Sequence, residues 1–187
     1  MHRLSFRKSL YLWTLVVFFL SSLQGCSTKY IVESSKYPEY EGEINQHTRL
    51  IRAERSRVFQ VLTDEERFKA LSPDGTIVSY ESPRPYQVGT LVKTRIEHIF
   101  ELSWSARVQE VVQDRKIRLQ FLDGFFAGGT EIWELETASE STRVTHTIIV
   151  QPEGFLRKLA WNVKVRLKHD RMIEAFLDNM KSAVETH

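Results

Sequence analysis

The 187-residue sequence predicts an α+β domain in which a curved antiparallel sheet of about seven strands wraps around a long C-terminal helix. Three observations carry that expectation. Strand-like runs follow one another from Gly75 to Gln151 through connections mostly of hairpin length, which suit antiparallel neighbours, because a parallel crossover takes about a dozen residues or more. Beyond Pro152 and Gly154 the apolar spacing becomes helical and stays so to the end. A half-apolar sheet and a striped helix each need a cover, so packing one on the other closes a single core.

Taken in order, Ile44 to Ala53 reads as the first strand and Arg55 to Leu71 as two short helices. Val58, Phe59, Val61 and Leu62 supply the apolar side of the first helix, Phe68 and Leu71 that of the second, and Thr63-Asp64-Glu65-Glu66 between them has the spacing of a capping box. Strands are expected at Gly75 to Glu81, Thr90 to Glu101, Trp104 to Gln113, Lys116 to Leu122, Thr130 to Glu136 and Arg143 to Gln151. Alternation places Val92, Thr94, Ile96, His98 and Phe100 on one face, and Val144, His146, Ile148 and Val150 on one face of the last strand. In the C-terminal region Trp161, Val165, His169, Met172, Phe176 and Met180 form one stripe, while Phe155, Leu156, Leu159 and Val163 point elsewhere. A short helix followed by a long one, or one bent helix, fits both.

The N-terminus has a different character. Arg3, Arg7 and Lys8 precede an apolar run from Leu10 to Leu20, and Ser21 and Ser22 lead into Leu23-Gln24-Gly25-Cys26, which holds the only cysteine. Positive, apolar and small residues in that order make a secretory signal, with a core too short to span a bilayer of about 30 Å. Leu23, Gly25 and Cys26 resemble the lipobox of bacterial lipoproteins, although Gln24 departs from the commoner Ser or Ala. The resemblance implies cleavage before Cys26, a diacylglyceryl thioether on its sulfur and, with Ser27 rather than Asp, sorting to the outer membrane facing the periplasm. An ordinary signal peptide with an incidental cysteine and an uncleaved anchor are the alternatives. The chain thus divides into a signal (1–25), a lipidated N-terminus and polar tether (26–43) and a folded domain (44–187), with Tyr30, Ile31, Val32, Tyr37 and Tyr40 of the tether able to pack on the domain.

Without residues 1–25 the chain has 23 Lys and Arg against 24 Asp and Glu, because the removed segment holds three cations and no acid. That balance argues against a nucleic-acid partner.

The order strand, two helices, six strands, long helix is the helix-grip arrangement, and the chain resembles the START-like (SRPBCC) superfamily, in particular its polyketide cyclase/dehydrase and lipid-transport group. The likeness lies in Leu50-Ile51-Arg52-Ala53 leading into Val58-Phe59-Gln60-Val61-Leu62-Thr63-Asp64, in Val88-Gly89, and in Gly129-Thr130-Glu131-Ile132-Trp133-Glu134-Leu135. Thr142-Arg143-Val144-Thr145-His146-Thr147-Ile148 and His169 to Lys181 complete it, and Glu54 stands where many members have Pro. The resemblance implies a ligand cavity between sheet and long helix, a hydrophobic small molecule or lipid as partner, and no cofactor.

Candidates for that cavity are Phe100, Trp104, Phe121, Trp133, Trp161, Met172 and Phe176, with His98, His146 and His169 as polar groups on apolar faces. Each aromatic is equally readable as core, and each histidine as satisfied by a neighbour. No local His-x-His or His-x-x-x-His spacing marks a metal site, and no catalytic acid or base stands out among Glu131, Glu134 and Glu136. Phe125 and Phe126 in the glycine-rich hairpin, with Lys164, Lys168 and Arg171 on one helix side, are candidates for membrane contact; a solvated face explains the cations as well. The expected function is a membrane-tethered carrier of a hydrophobic molecule, with a cyclase or dehydrase and a protein-interaction module as rivals.

Overall fold

A computed structural model describes residues 36–97 and 102–186. They form a seven-stranded antiparallel sheet in the order β1-β7-β6-β5-β4-β3-β2. The strands are β1 (Glu43–Ile51), β2 (Thr76–Tyr80), β3 (Leu91–Ile96), β4 (Leu102–Val112), β5 (Lys116–Phe121), β6 (Thr130–Ala138) and β7 (Ser141–Val150). From β2 to β7 each strand pairs with its successor, and β1 then adds to the far side of β7. A register shift between Val108 and Glu110 bulges β4 against β5, a device that increases local twist and bend.

Two short helices, α1 (Arg55–Thr63) and α2 (Glu65–Leu71), follow β1. The capping-box spacing located their junction but not its cap. Asp64, not Thr63, accepts hydrogen bonds through Oδ1 from the Glu66 and Arg67 backbone N–H groups at 3.0 and 3.1 Å, while the Thr63 hydroxyl turns back to the Phe59 carbonyl. The Asp64 carboxylate reaches the free donors of the new helix, and the Thr63 hydroxyl is drawn into the preceding one.

The C-terminal region is continuous: α3 (Gly154–Ala160) runs through a π-helical turn (Trp161–Val165) into α4 (Arg166–Glu185). The bend expected after Pro152 therefore takes the form of a widened turn. The expected stripe is realised, with Trp161, His169, Phe176 and Met180 buried and Val165 and Met172 partly so. The main core joins this stripe to the inner sheet face and to Val58, Phe59, Val61 and Leu62 of α1. A second, smaller cluster covers the outer sheet face, where Tyr37 is buried on Ile132 and Ile149 beside Tyr40 and Ile44. The last residues of the polar N-terminal stretch thus dock on the domain. Tyr37 is held there by its hydroxyl, which donates to Glu134 Oε2 at 2.8 Å.

The β5–β6 connection folds back on itself. Gly124 has φ +72°, and a Cβ there would lie 2.3 Å from the Ser103 carbonyl oxygen. A side chain would meet rigid backbone as well as an unfavourable dihedral. Gly124→Ala is expected to cost about 1–3 kcal/mol, read as a fall of several degrees in melting temperature, whereas the same change at Gly128, which has open space around it, costs only the positive-φ penalty.

Candidate functional site

The hairpin that brings Gly124 against β4 also turns its two phenylalanines inward. Phe126 is buried and Phe125 half-buried, which corrects the expectation that the pair is offered to a membrane. Phe126 meets Trp104 edge-on at 5.1 Å between ring centroids, Phe121 at 5.3 Å and Trp161 at 6.3 Å, and Phe125 stacks on Trp161 at 6.4 Å. The physical reason is area: two adjacent aromatic rings lose too much by staying in water when a concave apolar sheet lies one turn away. They plug one end of the space between sheet and helix.

Behind the plug, between the inner face of β2–β6, helix α2 and helix α4, lies a cavity of about 70 Å³. Phe68, Tyr86, Trp104, Trp133, Met172 and Phe176 are among its wall residues. A smaller void of about 10 Å³ lies between the ends of β3 and β4 and the start of α4, and Trp104 and Met172 border both spaces. Of the sequence candidates, Trp104, Trp133, Met172 and Phe176 therefore reach the main cavity. Phe121 and Trp161 belong to the plug and core, and His98 and Phe100, like Cys26, lie outside the described residues.

Alongside the hydroxyl-bearing Ser72, Thr76, Tyr80, Tyr86 and Thr94, the carboxylate in the cavity lining is Glu131. Strand alternation sends it inward with Trp133 and Leu135, while Glu134 and Glu136 face out to Lys36 and Arg143. Glu131 Oε1 accepts from Trp133 Nε1 at 2.8 Å and lies 3.1 Å from His146 Nε2, so one of the three carboxylates that sequence left undistinguished has an inward partner. No protein donor among the described residues reaches its Oε2. His146 is buried behind this pair, paired across strands with both Trp133 and His47, and its ring tilts over Trp133 at 4.3 Å. It positions Glu131 rather than facing the cavity.

A second constellation joins β1 to α4. Asn45 Nδ2 donates to Asp170 Oδ1 at 2.8 Å; His47 bridges Asp170 (3.1 Å) and Glu174 (2.6 Å); Arg49 pairs with Glu174 and with Asp178. Sequence reasoning passed over His47, because alternating polar residues at an apparent edge strand look solvated. The observable signal is that Asn45, His47 and Arg49 share their face with the buried Ile51. His47, His169 and Asp170 place ligand atoms within 4.8 Å of one another, a set that no local spacing revealed because β1 and α4 supply it jointly. As they stand, both His47 nitrogens are engaged by hydrogen bonds, and an ion would have to displace Asp170 and Asn45 from Nε2.

Burial governs the two inward histidines. Desolvation lowers the pKa of His146 against the raising effect of Glu131, and lowers that of His169 to about 4. Asp170 is also desolvated, yet its contacts with His169, Asn45 and His47 outweigh this and hold it at about 2. The Nδ1 atoms of His146 and His169 are buried without a hydrogen-bond partner.

A folded-state pKa below the unfolded value means that the unfolded chain takes up the proton first as pH falls. The contribution of neutral His169 is thus fully present above pH 6.5 and is lost between about 6.5 and 4, amounting to roughly 3 kcal/mol. Urea unfolding across that range is expected to show the decline, and His169→Gln to flatten it.

Comparison with known proteins agrees with this architecture. Residues 51–181 match the family described as polyketide cyclase/dehydrase and lipid transport. Protein TTHA0849 from Thermus thermophilus superposes with a TM-score of 0.63 at 16% identity, covering 76% of this chain and 97% of its own. Major latex-like protein 151 from Panax ginseng gives 0.61 at 12%, with the same coverage, and protein Ms6760 from Mycobacterium smegmatis gives 0.60 at 12%, covering 79% and 97%. No curated protein is a significant sequence match. At these identities the solved structures speak for the fold, the helix-grip arrangement, while the family match spans most of the chain: the protein belongs to the polyketide cyclase/dehydrase and lipid-transport family, whose theme is the binding of hydrophobic small molecules.

Proposed function

We propose that this protein is a carrier or binder of an amphipathic, lipid-like molecule, held in the bacterial envelope by acyl chains on Cys26. The observation that carries the ligand part is a mainly apolar cavity whose lining includes one carboxylate, Glu131, with an unengaged oxygen. Such a lining selects a greasy body with a hydroxyl or amine donor directed at Glu131 Oε2. At about 70 Å³ the cavity is smaller than the roughly 300 Å³ at which small-molecule sites begin. A lipid-sized guest therefore enters as the wall gives way, and Met172 is the wall residue suited to this. It is unbranched and half-buried, and it separates the two voids.

The anchor part rests on the Leu23-Gln24-Gly25-Cys26 segment behind its apolar run. One acyl chain holds a protein only marginally, whereas two or three keep it on the membrane. An enzyme of the cyclase or dehydrase type is the second reading, favoured by one observation: Glu131 backed by His146 is a carboxylate positioned for proton abstraction.

Met172→Ala joins the two voids, so it is expected to cost about 2–3 kcal/mol of stability while increasing uptake of a fluorescent fatty-acid probe. Unchanged uptake would count against the cavity as the binding site. Glu131→Gln is expected to weaken probes bearing a hydroxyl head several-fold and leave pure hydrocarbons unaffected; turnover lost with binding retained would favour the enzyme. For the anchor, mass analysis of the membrane-extracted protein is expected to show a diacylglyceryl-modified Cys26 at its N-terminus, and Cys26→Ser to abolish it.

A further inference from the structure

Five apolar side chains on α3 and the turns that follow face water: Phe155 and Leu156, each 77% exposed, Val163 at 63%, Leu167 at 54% and Leu159 at 49%. Phe155, Leu159, Val163 and Leu167 recur every fourth residue. In an α-helix such a row drifts about 40° per step, and the wider π turn at Trp161–Val165 takes up part of that drift, so the four stay in line. The opposite side of the same segment is anchored in the core by Trp161 and His169. The same stretch carries Arg157, Lys158, Lys164, Arg166 and Lys168, exposed or half-buried, as its basic border. Scattered apolar residues on a surface are ordinary, but a continuous row is an interaction site.

Charge decides what covers it. Gly154 to His169 contains five Lys and Arg and no Asp or Glu. A second copy laid on this face would set those cations against their own images with no acid in the segment to offset them. An anionic bilayer supplies the missing sign, and a helix with one apolar and one basic side lies in the plane of the interface. No helix among the described residues is long and apolar enough to cross a membrane, which leaves lying on it as the geometry for this one.

We propose that Gly154 to His169 is a docking surface for anionic phospholipid, with the Phe155–Leu167 row entering the acyl boundary and the basic border at phosphate level. The surface is separate from the acyl anchor at Cys26 and does not depend on what the cavity binds. It brings to the bilayer the end of α4 where Val165, Lys168 and Met172 border the smaller void.

The test uses the mature chain, residues 26–187, with Cys26→Ser, so that neither an acyl chain nor the apolar Leu10–Leu20 run contributes. A nitroxide is placed at Leu159→Cys, or at Glu140→Cys in the β6–β7 turn as a control, on vesicles of phosphatidylethanolamine and phosphatidylglycerol. The label at position 159 is expected to collide with oxygen and be shielded from an aqueous nickel chelate, while that at position 140 stays in water. Arg157→Gln with Lys164→Gln is expected to lower vesicle partition roughly tenfold or more, as is added salt. Vesicle-bound protein with position 159 still in water would overturn the proposal. So would spin–spin broadening in the absence of lipid, which would give the face to a second copy. Phe155→Asp with Leu156→Asp, in the protein labelled at Leu159→Cys, should abolish the lipid immersion yet keep uptake of the fatty-acid probe, which separates this surface from the carrier reading.

Discussion

The clamp between β1 and α4 is the constraint on which the rest of the structure depends. A long helix over a concave sheet is poorly located by apolar contact alone, because oily surfaces slide with little penalty, and the cavity beneath the helix removes part of even that contact. Asn45, His47 and Arg49 meet Asp170, Glu174 and Asp178 one turn apart, so a ladder of directional bonds sets both the axial position and the rotation of α4. Asp178 and Glu174 remain substantially exposed, and pairs of that kind add little stability. Their contribution is register. With α4 placed by its polar side, Met172 and Phe176 fall over the cavity and Trp161 falls over the aromatic plug.

That division between a polar clamp and an apolar roof explains how the domain tolerates a void. At roughly 24 cal/mol per Å³, 70 Å³ of unfilled space costs about 2 kcal/mol, a sum one domain can carry, whereas an empty space large enough for a lipid would approach the stability of the whole fold. The described interior is closed and nearly filled, with Trp104 and Met172 between its two voids. Glu131 is held in place by Trp133 on its own strand and by His146 on the next.

The buried histidines follow the same logic of polar groups. His146 and His169 lie with ring centroids 5.6 Å apart, and burial keeps each disposed to the neutral form. Two imidazolium ions at that distance in an apolar setting would repel one another and lose their hydration, so neutrality is what allows β7 and α4 to approach. Below the helix, packing is thus compatible with these two imidazoles as long as they carry no charge.

Much of this was legible in the chain itself. Strand alternation from Thr90 to Val150, the short turns, the helical period after Gly154 and the inward set Val144, His146, Ile148 and Val150 all depend on neighbours two to four residues apart, and such neighbours decide local conformation. The plug, the clamp and the Glu131 pair were not legible in that way. Phe126 is buried because the hairpin folds back over β4, His47 matters because α4 arrives beside β1, and Glu131 gains a partner because β7 pairs with β6. Periodicity reports which residues share a face, but which face meets which, and what stands opposite across more than a hundred residues of chain, exists only once the sheet has curled and the last helix has closed on it.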